Sequence, residues 1–426
     1  MRPALRKRPI NMKTGSMTSH TRFVLYAISS LMDMIAGTVL FVAPVRAAQL
    51  GASYSLSAGT GVAWALGAAV MTFVMGRFVT PRNSGVLCVA ACLAQAVCHA
   101  GLMFFTSTPE SMLPFLFAIG LTHTMFYVPY PVFFKTIDAG GGRSVSSSVG
   151  VYTFAWSLGM AAGPLWSGFL FQETAGGLAG WQLCLVFTIA SCLAVAWGIG
   201  HVRRRGSHTL DLAPPENDNP DFARLSWLAA LCGTFAFSLV RSLFPAGAVR
   251  IGLSEDMQGG VIFTMGVCQA VSALLLTRLP FWMYRPRVLG LAGAMGVAGM
   301  LFFLAAFQGF ADGGLLLAAF YLGAALFGLY SGSFFFYTTF HCLVHPSRAG
   351  FNIAVVELMH AVASVVGLLL GGALADAYGI NSPYLVAAVF ICLFTLLQLL
   401  FHHWDPLRQP VSEKPRNGDC VVPRNA

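Results

Sequence analysis

Charge is what this chain lacks most. Only 10% of its 426 residues are Asp, Glu, Lys or Arg, and 57% are hydrophobic, whereas a soluble globular protein carries about 25% charged residues. No buried core absorbs that excess, because a water-soluble fold needs a polar shell. Disorder is excluded on the same grounds, since apolar content is high. Acids are scarcer than bases, 16 against 25, and the net charge is +9. The bases punctuate apolar runs and form no amphipathic or aromatic-interleaved patch, which argues against nucleic acid as a partner. The ten cysteines lie almost all within apolar runs and no CxxC occurs, so neither a disulfide framework nor a zinc site is indicated. A P-loop, a G-x-S-x-G and an H-E-x-x-H are all missing. ATP-driven pumping and enzyme chemistry therefore have no support, and no cofactor or metal is expected. A polytopic membrane protein remains, with a mean hydropathy of +0.72.

A span takes about 20 apolar residues to cross the hydrocarbon. Twelve such runs are present, at 23–43, 56–75, 86–105, 112–134, 147–170, 182–201, 225–245, 259–279, 288–307, 314–337, 351–373 and 383–401. They are long and continuously apolar, so helices are predicted rather than the alternating strands of an outer-membrane barrel. With the N-terminus in the cytoplasm, roughly 22 Lys and Arg fall on cytoplasmic segments and about two on external loops, as the positive-inside rule requires. This predicts a cytoplasmic segment 1–22, a six-helix unit 23–202, a cytoplasmic linker 203–224, a second unit 225–402 and a cytoplasmic tail 403–426. Residues 1–22 are polar and basic and do not read as a cleaved leader.

The two units resemble each other. Val45-Arg46 follows the first span and Val249-Arg250 the seventh, about 204 residues on, and Gly163 and Gly168 recur as Gly367 and Gly372. A period near half the chain indicates duplication of a six-helix unit.

Twelve helices in two repeats, a mid-chain linker and internal termini resemble the major facilitator superfamily of secondary transporters. Local sequence supports the resemblance over about residues 22–402. Span 5 carries Gly159-x-x-x-Gly163-Pro164, similar to a motif of that family's antiporters. Gly180-Trp181 precedes span 6, and span 11 ends in Gly371-Gly372-Ala373-Leu374-Ala375-Asp376. One departure stands out. Where the family has an acid in the loop between spans 2 and 3, this chain reads Gly76-Arg77-Phe78-Val79-Thr80-Pro81-Arg82, with Thr80 at about the acidic position. The resemblance implies two pseudo-symmetric bundles rocking around a central site, with spans 1, 4, 7 and 10 lining it.

An ionisable side chain in mid-span costs about 2.5–3.5 kcal/mol on insertion, so the few that occur are functional candidates. Asp33 lies mid-way in span 1, on a stripe with Tyr26, Ser29, Ser30 and Gly37. It reads as a proton carrier or cation-binding group, or else as an interhelical hydrogen-bonding residue. Glu357 and His360 of span 11 are one turn apart, close enough to share a proton. Arg241 in span 7 cannot be neutralised. It needs a carboxylate, with Asp33 one candidate, or an anionic substrate, or escape to the interface. His123 lies mid-way in span 4, ahead of Tyr127, Pro129, Tyr130 and Pro131, and the prolines predict a kink. It serves substrate or packing. Tyr127, Tyr152 and Trp156 are further candidates for lining a cavity. Gly159 and Gly163 are expected to permit close helix approach.

The sequence thus predicts a monomeric, multi-pass transporter of a small organic solute in the plasma or bacterial inner membrane, with proton coupling through Asp33 and export by antiport favoured. Proton-coupled import of a small organic anion is the alternative within the class. A membrane sensor or assembly protein on the same fold is the alternative outside it.

Overall fold

Backbone in lipid has no water to bond, so a chain this apolar closes its hydrogen bonds within helices. The computed structural model describes residues 19–80, 82–138, 145–173, 177–205, 220–279, 282–283, 285–309, 313–343 and 349–404. Among them there are thirteen α-helices and no strand. The N-terminal half holds α1 (Ser19–Gln49), α2 (Tyr54–Phe78), α3 (Ser84–Phe104), α4 (Pro109–Tyr127), α5 (Pro129–Asp138), α6 (Val145–Glu173) and α7 (Leu178–Arg205). The C-terminal half holds α8 (Pro220–Arg250), α9 (Glu255–Arg278), α10 (Pro286–Phe307), α11 (Gly314–Leu343), α12 (Ala349–Tyr378) and α13 (Asn381–Trp404). Residues 1–18, 206–219 and 405–426, with Arg143 and Arg348, lie outside the described residues. α7 runs to Arg205 and α8 starts at Pro220, so helix overlaps both ends of the segment read as a linker.

The fourth span is the one that breaks. Pro129 and Pro131 have no N–H to offer the carbonyls of Met125 and Tyr127, and the helix divides into α4 and α5 at Val128. Counting α4 and α5 as one crossing gives twelve. Eleven of these are long and apolar enough to span a membrane on composition alone. The twelfth is α6, whose 29 residues include serines, glycines, two tryptophans and Pro164. The sequence reading took this run as continuously apolar. Its packing explains the difference. α6 lies between α1 of its own half and α9 of the other, so much of its surface meets protein instead of lipid. The peripheral helices show the reverse, with Leu93 and Val97 of α3, Leu193 of α7, Leu291 of α10 and Leu393 of α13 exposed.

The duplication is real, but its register is not uniform. Gly51 (φ 80°) and Gly252 (φ 74°) both end a first helix in the left-handed conformation. Ser53 and Ser254 hold the N-cap positions of α2 and α9, and Ser53 also caps with its side chain. The turn bonds match too, with Ala52 N–H to Ala47 O and Leu253 N–H to Ala248 O. These pairs are 201 residues apart, so the structural counterpart of Arg250 is Gln49, and the 204-residue Val-Arg match is a coincidence of side chains. Further along, Gly163 of α6 sits against the carbonyl of Met34, and Gly367 of α12 against that of Phe235. Here 204 is correct for the fifth helix of each half while 201 holds for the first.

The close crossing of α1 with α6 follows from missing side chains. A Cβ on Gly159 would run into the Ser30 backbone, and one on Gly163 into Met34 and Thr38. Ser30 Oγ then donates to Ala155 O at 2.7 Å. Between the halves, α6 packs along α9 and α2 along α12.

Candidate functional site

α1 and α8 are the central helices of their halves, and each is buried over most of its length. Their polar residues therefore meet across the middle of the molecule. Asp33 is 4% exposed and Arg241 5%. The two interact electrostatically without a direct ion pair among the described residues. Tyr127 of α4 donates its hydroxyl hydrogen to Asp33 Oδ2 and lies 3.1 Å from Ser29 O. Half of the expected stripe on α1 thus faces α4, through Ser29 and Asp33. The other half faces α6, through Ser30 and Gly37.

Arg241 makes no hydrogen bond among the described residues. Its guanidinium lies 5.3 Å from the Phe237 ring centroid, a weak contact for a cation taken out of water. A buried arginine with a carboxylate nearby but not paired to it is a standing demand for an anion.

His123 is buried between Trp64 and Tyr127, with ring centroids at 4.8 and 4.6 Å. Its Nδ1 has no hydrogen-bond partner among the described residues. It interacts electrostatically with His99 of α3. His99 is itself fully buried, with its Nε2 3.3 Å from Gln95 Nε2. Gln95 and His99 are not among the residues the sequence singled out. They share one face of α3, and that face turns inward.

Glu357 and His360 do not share a proton. His360 Nδ1 and Thr234 Oγ1 of α8 are 2.5 Å apart, and no hydrogen bond joins His360 to Glu357 among the described residues. Thr234 is the counterpart of Asp33 in the 201 register, so the two halves use this position differently. Glu357 is exposed yet interacts electrostatically with Tyr152 of α6.

Tyr152 also interacts with Asp33, and Tyr26 with Tyr130, whose hydroxyl donates to Leu25 O. Trp156 stands edge-on to Phe335 of α11 at 5.1 Å, and Phe335 in turn to Phe237 at 5.2 Å. Phe335 was not legible as special among 35 phenylalanines. A second cross-half contact was also missed. Gln269 of α9 donates to Ser157 Oγ of α6 at 2.8 Å and accepts from Ser331 of α11 at 2.9 Å. A lone amide in an apolar helix was the available signal.

The face away from the chain termini is closed by bonds between the halves. Asp376 of α12 accepts from the start of α2, Arg250 donates to Ala52 O, and Gln49 donates to Glu255.

No family model matches this chain, and no curated protein does. Among solved structures, the fold is similar to that of a bacterial homologue of the iron transporter ferroportin in an inward-facing state. The TM-score is 0.64 at 16% identity, covering 90% of this chain and 98% of that one. The chain is thus an all-helical, multi-pass membrane protein with a fold of the major facilitator type.

Proposed function

We propose that this protein is a secondary active transporter, and not an enzyme, moving a small organic anion by alternating access with proton coupling. Arg241 holds the anionic group, and Asp33, tethered by Tyr127, carries the proton. The observation behind this reading is Arg241 itself, 5% exposed, between two halves and without a hydrogen bond among the described residues. An anion satisfies it, and a proton on Asp33 then leaves one positive charge for one negative charge. Glu357, an exposed carboxylate of α12, is the second proton-exchanging candidate.

The neighbouring fold belongs to an iron transporter homologue, but a bare cation is repelled by Arg241, and an organic anion suits the site better. Binding the anion and the proton together makes this symport, which the charges of the site favour over the antiport suggested by Gly159-x-x-x-Gly163-Pro164. The membrane is the plasma or bacterial inner membrane, with both termini cytoplasmic, from the distribution of bases. The working unit is the monomer.

The test is flux of a panel of labelled mono- and dicarboxylates into vesicles reconstituted with the protein. At least one is expected to move, with flux lost in Arg241→Gln and kept in part in Arg241→Lys. Flux of ferrous or other divalent cations with none of any anion contradicts the reading.

A further inference from the structure

The two junctions that close the face away from the termini descend from one duplicated unit, and they have diverged. A helix start leaves N–H groups unpaired and carries partial positive charge. α9 meets this with its own acids, Glu255 and Asp256, in its first turn. α2, its counterpart, has no acid in its first turn. Ser53 Oγ accepts from Leu56 N–H at 3.1 Å. The N–H groups of Tyr54 and Ser55 are taken instead by Asp376 of the other half, with Oδ1 at 2.8 Å and Oδ2 at 2.9 Å. One carboxylate thus supplies from across the interface what α9 supplies for itself.

Arg250, the last residue of α8, reinforces the same point. Its Nη2 donates to Ala52 O at 2.6 Å, and its guanidinium lies 3.5 Å from the Tyr54 ring centroid. It also interacts electrostatically with Asp376. Beneath this layer Gly372 of α12 sits against the Ser55 backbone and Ala58.

We propose that Asp376 is a latch. By capping α2 from α12, it holds the two halves together on the face away from the termini, and that face opens only when the cap is released. Charge-assisted bonds to backbone N–H groups suit this role. Asp376 and Ser55 are exposed, so these bonds form within reach of water and are exchanged for it once the halves part. The bonds of Asp376 to the start of α2 span the two halves, whereas Glu255 and Asp256 lend their charge to the start of their own helix, and Glu255 bonds across the halves only to the Gln49 side chain. Among the described residues, the α2–α12 junction is therefore the one with a backbone-capping bond that must break on opening. The inference rests on the alternating-access reading.

The test is the rate at which a membrane-impermeant maleimide labels Ala58→Cys in the full-length protein, with the parent lacking that cysteine as background. Ala58 is fully buried. With Asp376 in place labelling is expected to be slow. Asp376→Ala is expected to speed it about tenfold, with Asp376→Asn and Arg250→Gln between, as loss of charged hydrogen bonds implies. Unchanged rates in Asp376→Asn and Arg250→Gln, in protein that keeps its elution profile, overturn the latch. No solute is used, so the two readings fail separately. Faster labelling in a protein that moves no anion keeps the latch and removes the proposed transport.

Discussion

Tyr127→Phe isolates the bond on which the central carboxylate depends. The substitution keeps the ring between His123, at 4.6 Å, and Phe126, at 5.6 Å, and removes only the hydroxyl. Asp33 is then left 4% exposed with no hydrogen-bond donor among the described residues. A hydrogen bond to a charged group contributes about 1.5–3 kcal/mol, and the cost of leaving the acceptor unmet falls in the same range. Ser29 O loses a donor too, but it remains inside α1 and keeps its helical bond, so its share is small. Comparing Tyr127→Phe, Asp33→Leu and the double variant separates these terms. Asp33→Leu also strips Arg241 of its nearby countercharge, an effect common to two corners of the cycle that cancels. The assay is thermal unfolding of the purified protein in detergent, with stabilities compared at one temperature. An interaction energy of about 1.5–3 kcal/mol between the two sites is expected. Additivity to within about 0.5 kcal/mol would falsify the claim that Tyr127 holds Asp33.

Other consequences follow from the packing. Gly163→Val drives methyl groups into the backbone of Met34 and Thr38 and is expected to cost about 1–3 kcal/mol or more, seen as a lower unfolding midpoint. Gly200→Ala in α7, where a Cβ meets nothing within 4 Å, is the matched control and should be neutral or stabilising by up to about 1 kcal/mol. Gln269→Ala removes the pin joining α6, α9 and α11 and leaves Ser157 without it. Ser331 keeps the Gly328 carbonyl at 2.9 Å, so the loss should stay near 1–2 kcal/mol, about one lost net bond plus one unmet group. A midpoint unchanged from the parent contradicts the pin.

Composition and charge order were enough to read twelve crossings, because lipid permits so few backbone solutions. The broken fourth span was legible from Pro129 and Pro131, whose chemistry is local. The register of the repeat was not, because Val45-Arg46 and Val249-Arg250 match as letters. The left-handed glycines and N-cap serines that align the two halves at 201 are recognised by backbone conformation. α6 was legible as a helix, and its lower apolarity has its own reason. Hydropathy scores a helix against lipid, and this one lies against α1 and α9.

For the site, intramembrane charge pointed to Asp33, Arg241 and Glu357, and the first two are brought together. Its partners were less visible. Tyr127 reaches Asp33 only because α4 crosses α1, and His360 pairs with Thr234 only because α12 packs on α8. Asp376 was legible as the end of a familiar glycine run, but its acceptance of two N–H groups from α2, 322 and 321 residues away in sequence, is a property of the assembled halves.

The most direct test of proton-coupled transport is accumulation of a transported anion in vesicles under an imposed pH gradient, comparing the parent protein with Asp33→Asn. The parent is expected to accumulate the anion against its gradient. Asp33→Asn is expected to exchange it at equilibrium yet fail to accumulate it. Full gradient-driven accumulation by Asp33→Asn would show that the proton travels by another route and would contradict the account.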